Sequence, residues 1–115
     1  MTTLPELEKQ FGEAYQLVSN NQNFLVVSHE YTDGDDLGGI LAFGHVLKTM
    51  GKKTSLVAKY GVPDNLLFLP GQTEVQEILP KDYESCDVFV TIGCGDLKRP
   101  GFDELLRWKK PILNI

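Results

Sequence analysis

The chain reads as an α/β protein: three layers, with a mainly parallel sheet and helices on both faces. Three observations lead there. Short apolar runs alternate with helix-like segments, the order that produces parallel sheets through crossover connections. The strongest run, Asp87-Val88-Phe89-Val90-Thr91-Ile92, is β-branched and nearly unbroken, as in strands covered on both sides. The run Phe24–Val27 passes at once into a polar loop and a further helix, the strand–loop–helix order at which open α/β sheets bind ligands. The 115 residues suffice for one domain, 1–115, with a real core.

The elements follow in order. Leu4, Leu7, Phe11, Ala14, Tyr15 and Val18 recur at three- and four-residue steps, which predicts a helix over 4–19. Thr3 and Glu6 suit a capping box, and Pro5 fits the first turn. Asn20–Asn23 breaks the helix before a strand at Phe24–Ser28. A second helix is expected over 36–50, capped by Asp35 or Asp36 and stopped by Gly51. Thr54–Ala58 reads as a strand, Val62–Gly71 as a loop with a short helical turn, and Glu74–Gln76 as a weak strand. After the run 87–92, a helix is expected over 102–108 and a last strand over 111–115. Right-handed crossovers then put His29, Asp33, Asp35, Gly93 and Asn114 on one sheet edge.

Composition narrows the function classes. A net charge of −5 argues against an extended basic nucleic-acid surface, yet it permits a phosphate site in which a metal supplies the positive charge. No apolar stretch approaches the ~20 residues that span a membrane, and the amino terminus lacks the basic and apolar regions of a signal peptide. A cytoplasmic location is therefore expected, with no membrane partner. Cys86 and Cys94 lack zinc-ligand spacing and read as reduced thiols beside a buried strand.

The chemistry is concentrated in His29-Glu30-Tyr31-Thr32-Asp33-Gly34-Asp35-Asp36-Leu37-Gly38-Gly39. An imidazole and two carboxylates, spaced H-x-x-x-D-x-D, follow the end of a strand. Mixed nitrogen and oxygen donors suit a divalent ion such as Mn²⁺, which makes His29, Asp33 and Asp35 the candidate metal ligands. Asp36 is assigned the helix cap. Gly38 and Gly39 fit either close approach of a phosphate to the helix start or tight packing of helix on sheet. Arg99 fits either a substrate phosphate or an ion pair with Asp96 or Asp103. Asp96 is expected to form a turn, and His45 to be a structural mid-helix histidine.

This segment resembles motif I of the DHH family of phosphoesterases. Three further stretches are similar to that family in the same order: Val62-Pro63 to Phe68-Leu69 with Cys86–Val90, Gly95-Asp96-Leu97-Lys98-Arg99-Pro100-Gly101, and Pro111–Ile115. The resemblance implies hydrolysis of phosphate esters or anhydrides with two Mn²⁺ ions, on a phosphate-containing small molecule or short oligonucleotide; the nearest members suggest short oligonucleotides or a nucleoside bisphosphate. A homodimer is left open. Two departures accompany it. Gly93 stands where the family's strand ends in a metal-binding aspartate, and Ile115 stands just before the place of the Asp-His-His triplet. The expectation is thus a partial or degenerate site with no catalytic residue assigned, in which Gly93→Asp would strengthen Mn²⁺ binding. The alternative is a non-catalytic nucleotide- or protein-binding module. A receiver-type site also requires an aspartate at Gly93, and a haloacid-dehalogenase-like site requires D-x-D directly after the strand, so neither fits.

Overall fold

In a computed structural model, which describes residues 2–115, the chain forms a five-stranded sheet against two α-helices. The elements are α1 (Leu4–Ser19), β1 (Asn23–Val27), α2 (Gly34–Thr49), β2 (Lys53–Val57), β3 (Val75–Gln76), β4 (Val88–Thr91) and β5 (Ile112–Asn114), with short 3₁₀ turns between β2 and β5. The strand order is β3-β2-β1-β4-β5, and every pairing is parallel. The carboxyl ends of all strands therefore share one edge. Ile92 donates its amide to the Val27 carbonyl (3.3 Å) and Gly93 to the Ile115 carbonyl (3.0 Å), so the ends of β1, β4 and β5 lie side by side. The chain winds outward in opposite directions from β1, which makes the gap between β1 and β4 the switch point of the sheet.

The expected helix over 4–19 forms with those bounds, and Thr3 and Glu6 make the reciprocal capping box. The second helix begins two residues early. Its cap is Asp33, whose side chain accepts the Asp36 amide, so neither Asp35 nor Asp36 is the cap. Asp33 stands three residues before Asp36, the spacing at which a capping oxygen meets the third helical amide. The segment expected as a helix over 102–108 is a 3₁₀ helix, Asp103–Arg107. Five residues with Phe102 and Trp108 extended at either end leave no room for the nucleus an α-helix needs.

The sheet is covered on both faces by different means. On one face Phe24, Val26, Val88 and Val90 pack under Leu37, Ile40 and Leu47 of α2, with Leu17 and Val18 of α1 at the margin. On the other, Leu25, Val27, Val57 and Phe89 meet Leu105, Cys86 and the half-buried Phe102 and Trp108. Phe89 and Trp108 meet edge to face with ring centroids 5.9 Å apart. The two cysteines are free and buried. At the opposite sheet edge the Asp87 carboxylate accepts the amides of Gln22 (3.1 Å) and Asn23 (2.9 Å), which joins the entrances of β1 and β4. These bonds hold the Asp87 carboxyl below its ordinary range. No residue of α1 is fully buried, and Phe11 and Tyr15 stand open to solvent. Among the described residues no helix is long and apolar enough to cross a membrane.

These burials set an expected contrast. Phe89→Ala removes a fully buried ring and should cost about 3–5 kcal/mol. Phe11→Ala removes a ring that is 65% exposed and should change stability by about 0.5 kcal/mol or less. Urea unfolding followed by circular dichroism measures both; similar losses would show that α1 carries more of the core than this packing assigns it.

Candidate metal and phosphate site

The site grows from the end of β1. Ser28 continues the strand, donating its amide to the Val57 carbonyl (3.1 Å). Its hydroxyl lies 2.7 Å from that of Thr32, both buried, which closes the intervening residues into a compact loop. His29 sits in that loop, buried, with its Nδ1 2.8 Å from the Glu30 carbonyl. The carbonyl can only accept, so Nδ1 carries a proton. Nε2 then faces the Asp36 carboxylate at 2.7 Å and the Asp33 carboxylate at 3.7 Å. Both carboxylates come from the start of α2. Residues three apart on a helix share a face, and capping by Asp33 turns the Asp36 side chain inward to His29.

Together His29, Asp33 and Asp36 offer one ligand atom each, all within 4.8 Å of one another. The exposed Asp35 is not in this group, although the H-x-x-x-D-x-D spacing singles it out. One residue along an α-helix is a rotation of about 100°, so Asp35 and Asp36 point in different directions. Starting the helix at Gly34 rather than Asp36 decides which of them meets the histidine. The D-x-x-D spacing of Asp33 and Asp36 was the available signal, and the three neighbouring aspartates obscured it.

Gly93 lies against the same cluster. Its φ is +74°, and a Cβ built there would overlap the Asp36 carboxylate. The absent side chain at residue 93 is thus the space into which Asp36 projects. This counts against the expectation that Gly93→Asp strengthens the site: a side chain there would compete with the Asp36 carboxylate for the same space, on a backbone that disfavours side chains.

The remaining candidates fall elsewhere. Gly39 lies inside α2, where a Cβ would come 2.9 Å from Ile92 Cγ2, so its smallness serves helix-to-sheet packing. Gly38 is also within the helix. Leu37 already donates its amide to the Asp33 carbonyl (2.9 Å), so the free amides of the first turn precede both glycines. Arg99 is exposed and, among the described residues, makes no ion pair with Asp96 or Asp103; its carbonyl accepts the Glu30 amide (2.9 Å). Asp96 forms a turn by accepting the Lys98 amide (2.8 Å). His45 is exposed on α2. Asn114 reaches the expected edge and accepts the Thr91 hydroxyl at 2.9 Å. Two surface clefts, of about 530 and 620 Å³, lie away from the cluster, one beside Leu41 and Pro70 and one between α1, α2 and β5.

The electrostatics agree with the geometry. The Glu30 carbonyl, and then Asp36 and Asp33, raise the His29 pKa above 6.5 against the opposing effect of burial. The Asp36 amide above all, and then His29, hold the Asp33 carboxyl below its ordinary range. Burial and the nearby Asp36 carboxylate push the Cys94 thiol up to about 11, so it stays protonated at neutral pH.

The fold that carries this cluster has a counterpart among solved structures. It is similar to that of an exopolyphosphatase-related protein from Bacteroides Fragilis, with a TM-score of 0.77, 21% sequence identity, and coverage of 94% of this chain and 34% of that one. At that identity the likeness is one of fold, and the chain spans about a third of that protein's length. No protein-family profile and no curated protein sequence matches it significantly.

Two outcomes are expected at the site. A histidine whose folded pKa is raised adds stability that is fully present below its unfolded pKa, about 6.5, and is lost as pH rises through the folded value. The Tm difference between the parent and His29→Gln should therefore be largest near pH 6 and shrink as pH rises beyond that window; a difference growing with pH would show a neutral imidazole in the folded state. Second, Gly93→Ala should destabilise the fold by about 1–3 kcal/mol, and part of that loss should vanish in Gly93→Ala/Asp36→Gly. Additive losses in urea unfolding would refute the contact between Asp36 and residue 93.

Proposed function

We propose that the chain is the cation- and phosphate-binding part of a DHH-type phosphoesterase. In this reading His29, Asp33 and Asp36 hold a divalent ion, Mn²⁺ by preference, and the substrate class is short oligonucleotides or nucleoside bisphosphates. The observation that carries it is the convergence of an imidazole nitrogen and two carboxylates at the switch point of a parallel sheet. The order of the family-like segments supports it. So does the fold shared with a protein described as exopolyphosphatase-related.

The donor set fits such an ion. Neighbouring ligands around an octahedral ion with metal–oxygen distances of about 2.1 Å stand about 3 Å apart, and the 2.7 Å and 3.7 Å separations from His29 Nε2 bracket that value. One nitrogen and two oxygens suit Mn²⁺ or a similar ion. A divalent ion held there supplies positive charge to polarise a phosphoryl oxygen. The chain's own residues set the stage for it. The Glu30 carbonyl, by accepting a hydrogen bond from Nδ1–H, orients the ring and leaves Nε2 facing the site. Nε2 gives up its proton when it serves as a ligand, so ion binding releases a proton. The two carboxylates offset the charge of the ion.

A second reading, a non-catalytic nucleotide- or protein-binding module, is favoured by Gly93. The end of β4 offers no side-chain donor, and three donors serve one ion, whereas a two-ion clamp requires more.

Calorimetric titration with Mn²⁺ should give one weakly held ion per chain. Asp36→Asn or His29→Gln should reduce the affinity at least about tenfold, the loss of a ligand or its partner, and Asp35→Asn should leave it nearly unchanged. An Asp35 effect equal to that of Asp36 would put the ligand set back to His29, Asp33 and Asp35. Assay of Mn²⁺-dependent hydrolysis of a dinucleotide and of a nucleoside bisphosphate then separates the readings. Turnover lost in Asp33→Asn supports the enzyme, and binding without turnover supports the module.

A further inference from the structure

Two described residues other than glycine have a left-handed backbone, and both are tyrosines: Tyr31 with φ 54° and Tyr60 with φ 71°. Such a conformation is costly for a bulky side chain and persists only where surrounding contacts enforce it. Tyr31 follows β1 and Tyr60 follows β2, at the edge that carries the His29 cluster. Their rings stack, with centroids 4.4 Å apart and planes 14° from parallel. Neither ring is buried: Tyr31 is 69% and Tyr60 54% exposed.

The stack is braced from behind. Lys59 places its ammonium 5.4 Å from the centre of the Tyr60 ring. That ammonium donates to the Gly101 carbonyl at 2.8 Å and lies 5.6 Å from the Phe102 ring, which packs on the sheet's second face. Gly101 permits this approach, because a Cβ there would stand 2.7 Å from Glu30 Oε2 and 3.1 Å from Lys59 Cδ. The Glu30 amide, beside Tyr31, donates to the Arg99 carbonyl at 2.9 Å. Phe102, Lys59, Tyr60 and Tyr31 thus form a column of successive contacts, ring to ammonium to ring to ring, that leads back to the second core cluster. Tyr60 covers one face of Tyr31, and the 69% exposure of Tyr31 leaves its other face open to a ligand.

Tyr31 lies in the chain between His29 and Asp33, two residues from each. Its Cα is therefore within about 7.6 Å of theirs, two trans-peptide steps. Tyr31 is thus carried by the same short loop that joins His29 to Asp33, at the sheet edge where a phosphate held by the cluster would sit.

We infer that the outward face of Tyr31 is a stacking surface for a nucleobase, serving a ligand whose phosphate sits at His29, Asp33 and Asp36. The phosphate half of this inference rests on the proposed function; the stacking half stands on the geometry of the column. Bases stack on aromatic rings with little regard to their identity, and a ring already stacked on a neighbour has less freedom left to lose when a base arrives. An inorganic phosphate chain has no ring to place there, so Tyr31 would select nucleotides over inorganic phosphates.

The test uses the whole chain and four probes: adenosine, adenosine 5′-monophosphate, ribose 5-phosphate and inorganic pyrophosphate. Calorimetry in Mn²⁺ gives affinities, and Tyr ring resonances, recorded without metal, report adenosine alone. In the parent, the adenine nucleotide should bind about tenfold more tightly than ribose 5-phosphate, within the range for stacking on one aromatic ring. Tyr31→Ala should bring the two within about twofold, and Tyr31→Phe should preserve the preference. Adenosine should shift the Tyr31 ring signals in the parent and in Asp33→Asn. Equal affinities in the parent, a preference that survives Tyr31→Ala, or silent Tyr31 signals would each overturn the inference. Phosphates that bind without regard to Mn²⁺, while adenosine still shifts Tyr31, would overturn the metal site and uphold the stacking surface.

Discussion

The parallel pairing of β1 on both its edges is the constraint from which the rest of the molecule hangs. Phe24, Leu25, Val26 and Val27 are all fully buried, and β1 is hydrogen-bonded to β2 on one side and β4 on the other. A strand held this way has no freedom of register, because a one-residue slip would turn Phe24 and Val26 from the face under α2 to the opposite face. Its end is therefore a fixed point. Ser28 and Thr32 close a short loop on that point, and His29 enters the site in one orientation because Glu30 supplies an acceptor within the same loop. The histidine is thus placed by strand pairing, two steps removed from any contact of its own.

A second layer of coupling runs through the start of α2. The Asp33 carboxylate caps the helix, the cap sets the helical phase, and the phase brings Asp36 rather than Asp35 to His29. Asp36 then takes the space that a side chain at Gly93 would fill. The cap, the histidine and the glycine at the end of β4 are one arrangement, in which each residue's identity constrains the others. The favourable position of carboxylates in a helix's first turn lets two of them converge there near a buried imidazole without an added basic residue.

The segment from Gly95 to Trp108 serves two ends. Through Phe102, Leu105 and Trp108 it covers the face of the sheet that has no α-helix. Through the Arg99 and Gly101 carbonyls it holds the loops that carry Glu30 and Lys59. Packing of the second core and the posture of the site's rim are therefore linked by backbone hydrogen bonds, although this segment has only a 3₁₀ turn of regular structure.

Much of this was legible in the chain. The alternation of apolar runs and helices specified a parallel α/β sheet, because strands buried on both faces must be continuously apolar. The capping box of α1 and the placing of His29 and Asp33 on the carboxyl edge followed from local rules. What the chain left open depended on angle and distance across the fold. Three adjacent aspartates all satisfy the local pattern, and only the helix's actual start selects Asp36, since successive residues differ by about 100° in direction. Gly93 reads as a missing ligand until the space beside it is seen to hold the Asp36 carboxylate. The stacking of Tyr31 on Tyr60 joins loops after two different strands, and no periodicity relates them. Local sequence determined the elements and the edge on which chemistry collects; side-chain convergence across that edge was decided by tertiary packing, because it depends on rotations and separations that sequence spacing does not encode.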